Sequence, residues 1–598
     1  MIRNTPLFLI FLLLFTSCHT NKQQKNMYNA TKTRKLNSKI KHTATSINTK
    51  DINKHKRAIE YFNDGSLEKS IIILEELILD YPEWSTPYIT LTKIYSKQGS
   101  NTLTLKYLKD LYDINKKRAV SGFDQIIIDL YNAGKYDLVL FYSKNLLQID
   151  SSFLKRNILL SNSRNVYGVP VYTLTGKKII NNCDFALDAI KKPVIFEAKN
   201  LGENINSEFA EYLPNISADN NLFFVTRRLE SDGYSNEEFF LSRKDKENKW
   251  TKAIRLDQPI NTYQNEGALS LSPDGRLLVF TACDRRSSYG GCDLYFSVKN
   301  NKWSNPSNLG EHINSRFSDK QPCFSADGKY LYFVSNRPGG LGGLDIWKTK
   351  IEYSDFGIVK FSNPENLGST INTSYDEMSP FIHPDNLTLY FSSRGHLGMG
   401  DYDLYISRRS NSEEKWGDVK NLGFPINTFK VENSLIVASN GKTAYYASDQ
   451  SGYGKEDIFY FELPKQLQAN EILELEMDII TKTLGEEIIL ENVNFDNNSS
   501  IISSESFNEL NTLIEYLFKN PSLKITIEGH TDNIGSVEDN MILSSQRAAS
   551  VYQYLLNNGL DSIQVISHKG YGENKPLEDN STRKGRAQNR RTSFRIIR

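Results

Sequence analysis

Three periodicities predict a multidomain chain: an α-helical array, an all-β propeller of about five blades and a compact α/β domain at the carboxy end. Gly65, Gly99 and Gly134 recur 34 and 35 residues apart, each between two amphipathic helical stretches. A longer motif recurs five times at intervals of 53 to 58 residues, and the segment 488–598 alternates strand-like and helix-like patterns. With 598 residues, at roughly 150 per domain, about four units are expected.

Composition narrows the functions. The 72 basic and 71 acidic residues nearly cancel, so no global field would hold nucleic acid. Five Cys exclude a disulfide-dense scaffold, and the eight His contain no HExxH pair or other close zinc spacing, so no metal or other cofactor is implied. No GxSxG elbow is present, and Gly441-Lys442-Thr443 lacks the earlier glycine of a phosphate loop because Ile436 stands there. The chain therefore reads as noncatalytic; a wall-active enzyme with a propeller-gated site is the rival reading.

The amino end reads as an export signal. Arg3 precedes a nine-residue apolar run, Leu7 to Phe15, too short to span a bilayer. The run ends in Phe15-Thr16-Ser17-Cys18, which resembles the lipobox of bacterial lipoproteins, so residues 1–18 read as a lipoprotein signal with its lipobox, and the resemblance implies that Cys18 is lipidated and becomes the first mature residue. An ordinary secretory signal with a chance Cys is the alternative. Multiple acyl chains would anchor the protein without a transmembrane helix. From His19 to Lys50 the sequence is rich in Lys, Arg, Asn, Thr and Ser, holds no Asp or Glu and shows no helical or strand periodicity, so residues 19–51 read as a flexible basic tether.

Residues 52–152 read as helical repeats. Each glycine permits a tight turn inside a helix pair, and Leu74, Leu77, Ile78 and Tyr81 share one face. The period resembles that of tetratricopeptide repeats, although a generic array of helical hairpins predicts the same stacking. Either version offers a surface for a protein partner.

Residues 165–464 read as the propeller with preceding strands. Ile205, Ile260, Ile313, Ile371 and Ile426 each precede an Asn, and Asp293, Asp345, Asp403 and Asp457 each precede two apolar residues, with Glu238 in the corresponding first place. Ser272-Pro273-Asp274-Gly275 and Ser325-Ala326-Asp327-Gly328 are turns leading into alternating runs, so each unit reads as a four-stranded blade that must stack on its neighbours. These turns and strand exits resemble TolB-like, or WD40-like, propellers. Residues that recur in every unit read as core and turn positions. Cys283 and Cys292 bracket one hairpin turn and are expected either to be bridged or to remain two buried thiols.

After a linker, 465–487, the last segment is expected to form strands at 488–495, 523–529, 564–570 and 592–597. Helices are expected at 504–518 and 545–556, with a short one near Ser581. Gly529-His530-Thr531-Asp532 falls at a strand end, followed by Gly535, Asn540, Leu543, Ser544, Arg547, Ala548 and Val551, and later by Gly585, Arg586, Ala587, Asn589, Arg590, Arg591 and Phe594. This pattern resembles the OmpA-like domain, whose members bind peptidoglycan. The resemblance implies that Asp532 takes the ammonium and Arg547 the carboxylate of the diaminopimelate in the stem peptide, with Thr531, Asn540, Leu543 and Arg590 completing the pocket. An internal Asp532–Arg547 salt bridge is the structural alternative. The seven basic residues from Arg583 onward belong, in such a fold, to a helix and an edge strand.

The whole order resembles OmpA-family outer-membrane lipoproteins, including the wall-binding lipoprotein family of type IX secretion, from which it departs in lacking a β-domain between propeller and wall-binding domain. The resemblance implies an outer-membrane, lipid-anchored protein facing the periplasm. Its partners would be peptidoglycan and other proteins, in an envelope or secretion complex; a signalling or transport scaffold with incidental wall binding is a further alternative.

Overall fold

The computed structural model describes residues 47–160, 173–231, 234–353, 359–449, 452–482, 485–495 and 498–597. Cys18 and the tether lie outside them. Among the described residues no helix is long and apolar enough to cross a membrane. The chain divides into two compact units after Asp124.

The first unit is helical. Helices α1 (Thr49–Asn63), α2 (Leu67–Asp80), α3 (Ser85–Lys97) and α4 (Asn101–Ile114) precede α5 (Lys116–Asn132). Ala58, Leu74, Tyr88, Leu91, Ile94, Tyr107 and Leu111 form its core. The recurring glycines sit where the helices reverse: Gly65, Gly99 and Gly134 have φ of 84°, 70° and 68°, a region that side chains with a Cβ rarely adopt.

The second unit opens with the last part of α5, followed by α6 (Tyr136–Ile149), a two-stranded pair (Asn157–Leu159 with Thr173–Thr175) and α7 (Gly176–Lys191). Strands alone were expected ahead of the β repeats; α7 is a correction. Its buried stripe is Ile179, Cys183 and Ala186 with Asn182 inside it, a mixture that hides the helical period in the sequence. The hydroxyl of Thr175 caps its first turn by accepting from the Lys178 N–H at 3.2 Å.

Five antiparallel sheets follow, one per repeat. Their first three strands are Ala210–Ile216, Leu222–Ser231 and Tyr234–Arg243; Glu266–Leu271, Leu277–Cys283 and Cys292–Val298; Asp319–Phe324, Tyr330–Ser335 and Asp345–Tyr353; Glu377–Ile382, Thr388–Ser393 and Asp403–Arg408; and Ile436–Val437, Thr443–Ser448 and Asp457–Glu462. Among the described residues no sheet closes on itself. The fifth is completed by Lys199–Asn200, from ahead of the first sheet, so the two ends of the array are hydrogen-bonded together. One cavity is lined from all five sheets, at Leu213, Ala268, Gln321, Ser379 and Ser434 among others. Those five residues share a positive φ, between 48° and 64°, and the first four sit where the strand register slips by a bulge.

The recurring Asn explains the repeat. Asn261, Asn314, Asn372 and Asn427 each accept, at 2.8 Å, the N–H of the residue after the recurring acid on the third strand of their own sheet. Asn206 does the same for Ile458 of the fifth sheet, closing the series. A second recurring element is a buried acid at the start of each inner strand. Glu211, Glu266 and Asp319 pair with Arg227, Arg285 and Arg337 at 2.5, 2.6 and 2.5 Å. The fourth sheet breaks the series: Arg394 turns to Asp376 and Asp401, leaving Glu377 to the hydroxyls of Thr373 and Ser393. Cys283 and Cys292 are register partners and are joined as a disulfide, whereas Cys183 and Cys323 are buried free thiols.

The carboxy-terminal domain is a four-stranded sheet in the order Glu487–Ile489, Thr592–Ile597, Lys524–Gly529, Val565–Gly570, the last pair parallel. Helices α8 (Glu474–Thr481), α9 (Phe507–Lys519), α10 (Val537–Asn557) and α11 (Arg583–Asn589) complete it. Three boundaries differ from expectation. The 465–487 segment is no linker, because α8 buries Ile479 and Ile480 in the same core as Leu513 and Leu517. The first strand is Glu487–Ile489 rather than 488–495, since Val493 turns back through its N–H to the Leu490 carbonyl. Helix α10 begins at Val537, eight residues before the expected start; Ser536 caps it, and its first turns bury Asn540 and Ser544 while Val537 and Ile542 are exposed, so they carry no buried apolar stripe to read.

This domain packs on the end of the sheets where first strands turn into second strands. Asn386 donates to Asn520 at 3.2 Å, the Ser412 N–H to the Lys519 carbonyl at 2.8 Å, and Lys329 to Ser522. Helices α5 to α7 meet the opposite end, where second strands run into third strands: Tyr136 donates to the Met399 carbonyl at 3.0 Å, and Lys178 to those of Gly395 and His396, both at 2.6 Å.

Candidate functional site

Two glycines bring the site together. A Cβ on Gly529 would stand 2.2 Å from the Ser544 carbonyl, and one on Gly570 2.3 Å from the Ser545 amide, so only glycine lets α10 lie down on the ends of these strands. Asn540, Leu543 and Arg547, at spacings of three and four, share one face of this helix, and Asn540 on that face reaches the Asp532 carbonyl.

Asp532 follows the strand Lys524–Gly529. Its Oδ1 accepts the Ile534 N–H at 3.0 Å, an Asx turn that fixes the carboxylate. Oδ2 accepts from Arg590 Nη1 at 2.6 Å; the Asp532 side chain is 9% exposed and that of Arg590 48%. Asn540 Nδ2 bridges the Asp532 carbonyl at 3.2 Å and Glu573 at 2.7 Å. Arg547 Nε donates to the Ser499 carbonyl at 3.0 Å, with its guanidinium 5.0 Å from the centre of the Phe495 ring. Burial pushes the Arg547 pKa down, Arg590 adds to that, and Asp532 opposes it, which puts the two guanidiniums and the carboxylate in one electrostatic neighbourhood. Leu543 is half-buried one turn before Arg547. The Thr531 hydroxyl is buried without a hydrogen-bond partner among the described residues, its backbone N–H being donated to the Gly572 carbonyl at 3.0 Å.

Asn540 and Arg590 thus hydrogen-bond Asp532 directly, Thr531 precedes it in the chain, and Arg547 is tied to it only through electrostatics; the alternative of an internal Asp532–Arg547 salt bridge is not what the structure holds. The direct partner of Asp532 is Arg590, not Arg547. Arg590 is the C-cap of α11 and reaches Asp532 across 58 residues. The recurring basic element of the tail was the available signal for it.

Behind this site lies a second cluster, in which ligand atoms of Glu487, Glu528 and His530 fall within 4.8 Å of one another. Arg591 donates to Glu487 at 2.7 Å and Arg595 to Glu528 at 2.9 Å, so the carboxylates are balanced before any cation enters. A divalent ion would have to displace a guanidinium. His530 is fully buried, and burial, then the nearby Arg591, lowers its pKa to about 4, leaving a neutral imidazole stacked on Tyr571. The arrangement is an ion-pair network that fixes the strand end carrying Asp532.

Residues 494–590 match the model of the OmpA family. The carboxy-terminal domain is an OmpA domain. Among curated proteins, the chain is 36% identical over 104 residues to outer membrane porin F of Pseudomonas fluorescens, covering 17% of this chain and 32% of the porin. It is 28% identical over 164 residues to the peptidoglycan-associated lipoprotein of Buchnera aphidicola, covering 27% of this chain and 94% of that protein. The solved peptidoglycan-associated lipoprotein from Burkholderia pseudomallei is 30% identical, over 18% of this chain and 88% of that one, with a TM-score of 0.17. The chain thus spans about a third of the porin's own length, and the match to the OmpA model ends short of the sheets and helices that precede it.

Proposed function

We propose that this protein is a noncatalytic outer-membrane lipoprotein that holds peptidoglycan through its OmpA domain and protein partners through its helices and sheets. The observation that carries the reading is the Asp532–Arg590 pair: a nearly buried carboxylate whose cationic partner is half exposed to solvent. The ligand is the free end of diaminopimelate in the stem peptide, which bears an ammonium and a carboxylate on one carbon. The ammonium takes the place of Arg590 at Asp532, and the carboxylate is received by Arg547, with Arg590 alongside, in the planar fork that guanidinium offers and ammonium does not. Each charge-assisted bond contributes about 1.5 to 3 kcal/mol, so a single site is modest and attachment to a polymeric wall gains from many copies. The peptidoglycan association named for the Buchnera relative supports the same reading.

The remaining modules fit a tether. The five sheets, tied end to end by Lys199–Asn200 and surrounding one cavity, are read as a five-bladed propeller of TolB-like type. The helices with glycine reversals 34 and 35 residues apart are read as tetratricopeptide repeats. The β array holds helices at one end and the OmpA domain at the other, which suits a spacer between wall and partner in an envelope or secretion complex. Lipidation at Cys18 would supply the membrane end.

Sedimentation of the full chain with purified sacculi tests the proposal. Wild type is expected in the pellet, with Asp532→Ala and Arg547→Ala left in the supernatant at unchanged melting temperature. If both variants sediment like wild type, the site is wrong.

A further inference from the structure

Among the described residues, the loops joining second to third strands at one end of the β array are built to one plan. In four of them an apolar residue stands four places before the recurring Asp: Tyr289, Leu341, Met399 and Tyr453. Each donates its backbone N–H to that Asp, at 2.7, 2.5, 2.5 and 2.6 Å. Each is followed by a glycine packed on the loop that leads into the next sheet. A Cβ on Gly290, Gly342, Gly400 or Gly454 would fall 1.6 to 2.2 Å from a backbone oxygen of Phe317, Tyr375, Lys430 or Phe209. The four side chains therefore occupy equivalent places, each held by the same backbone bonds.

Their exposures are not equivalent. Tyr289 is 49% exposed, Leu341 48% and Tyr453 55%, whereas Met399 is 1% exposed. The difference is the chain's own helices. Tyr136 and Tyr131 donate to the carbonyls of Met399 and Gly400, and Lys178 to those of Gly395 and His396. Beside them the turn between α5 and α6 lies against Phe429, whose ring is 2.8 Å from where a Cβ on Gly134 would be. At the fourth sheet this loop is thus a seat for a helical hairpin, with an apolar side chain beneath it and carbonyls at its rim for hydroxyl and ammonium donors.

We propose that the neighbouring loops of the second and third sheets are a docking surface for an α-helical hairpin of a partner protein. The partner hairpin lays its apolar face over Tyr289, Leu341 and the adjacent Phe317, which is 44% exposed, and donates from Tyr, Ser or Lys side chains to the loop carbonyls. The surface is continuous with the seat already filled, because Gly342 of the third-sheet loop packs on Tyr375, in the loop that leads into the fourth sheet. The occupant is a hairpin because a hairpin is what this loop type holds where it is covered.

The test uses the full chain in the cells that make it, with a photo-crosslinking benzoylphenylalanine at Tyr289, at Leu341 or, as a control, at Ile254, which is 63% exposed on an outer strand. Positions 289 and 341 are expected to give one adduct with a different protein and position 254 none. The crosslinked peptide, identified by mass spectrometry, is expected to lie in a helical hairpin of that protein. Its purified form is expected to bind the purified full chain, with affinity reduced about tenfold or more by Tyr289→Ser with Leu341→Ser, and equally by Leu341→Glu, at unchanged melting temperature. The absence of an adduct, an adduct with a second copy of this chain, a crosslink outside a helix, or binding unaffected by both variants would overturn the proposal.

Discussion

The same chemical pair, a carboxylate bonded to a guanidinium, serves two ends in this molecule. In the first three sheets Glu211, Glu266 and Asp319 are fully buried, and their arginines are only 13%, 10% and 12% exposed. In the OmpA domain Asp532 is nearly as buried, but Arg590 is 48% exposed. A pair sealed on both sides holds strands together, because breaking it strands a charge in a medium that cannot solvate it. A pair with one exposed partner, as at Asp532 and Arg590, is open to the exchange of that partner for a ligand that the proposed function requires. Access to the cation, not the identity of the pair, separates scaffold from site.

Removing one member of each pair breaks this comparison most sharply. Arg337→Ala is expected to cost about 3 to 5 kcal/mol of unfolding free energy by leaving Asp319 buried and uncompensated, measured by denaturant titration, with wall binding intact in the protein that remains folded. Reduction of the Cys283–Cys292 bridge, which closes a short loop with a separation of 9 residues, is expected to cost about 2.5 kcal/mol, read by the same titration with and without reductant. Asp532→Ala should do the reverse of Arg337→Ala: about tenfold or more loss of sacculus binding, corresponding to roughly 1.5 to 3 kcal/mol, with little change in stability.

Acid sharpens the contrast with a smaller effect. Burial raises Glu377 and Glu432 to about 7, so between about pH 4.5 and 7 the unfolded chain loses protons that the folded sheets keep. The β array therefore gains stability as pH falls through that window and loses it as pH rises. His530, lowered to about 4, has the opposite sign: below about pH 6.5 the unfolded chain takes up a proton that the folded domain refuses. Hydrogen exchange at pH 7.5 and 5.5 is expected to show slower opening of the fourth and fifth sheets and faster opening of the OmpA domain at the lower pH. Glu377→Gln should flatten the first trend and leave the second.

Much of this could be read from the sequence wherever backbone geometry dictates residue type. Gly65, Gly99 and Gly134 show because their positive φ favours glycine, and Asn206 to Asn427 show because one side chain must both accept and donate at each sheet exit. The nearness of Asp532, Asn540 and Arg547 was legible because a strand end and one helix face supply it. What escaped depends on tertiary placement. Helices α7 and α8 mix polar residues into short stripes, and the first turns of α10 bury the polar Asn540 and Ser544 rather than apolar residues. Arg590 finds Asp532 only once α11 has been laid beside the strand end, a contact that no local spacing encodes.

The central claim is that Asp532 and Arg547 jointly read an ammonium and a carboxylate. Calorimetric titration of the full chain with a soluble muropeptide carrying diaminopimelate, beside one carrying lysine at the same stem position, tests it most directly. The account predicts saturable heat with the first, little or none with the second, which lacks the free carboxylate, and none with either in Asp532→Ala. Equal binding of the two muropeptides, or unaltered binding by Asp532→Ala, would contradict it.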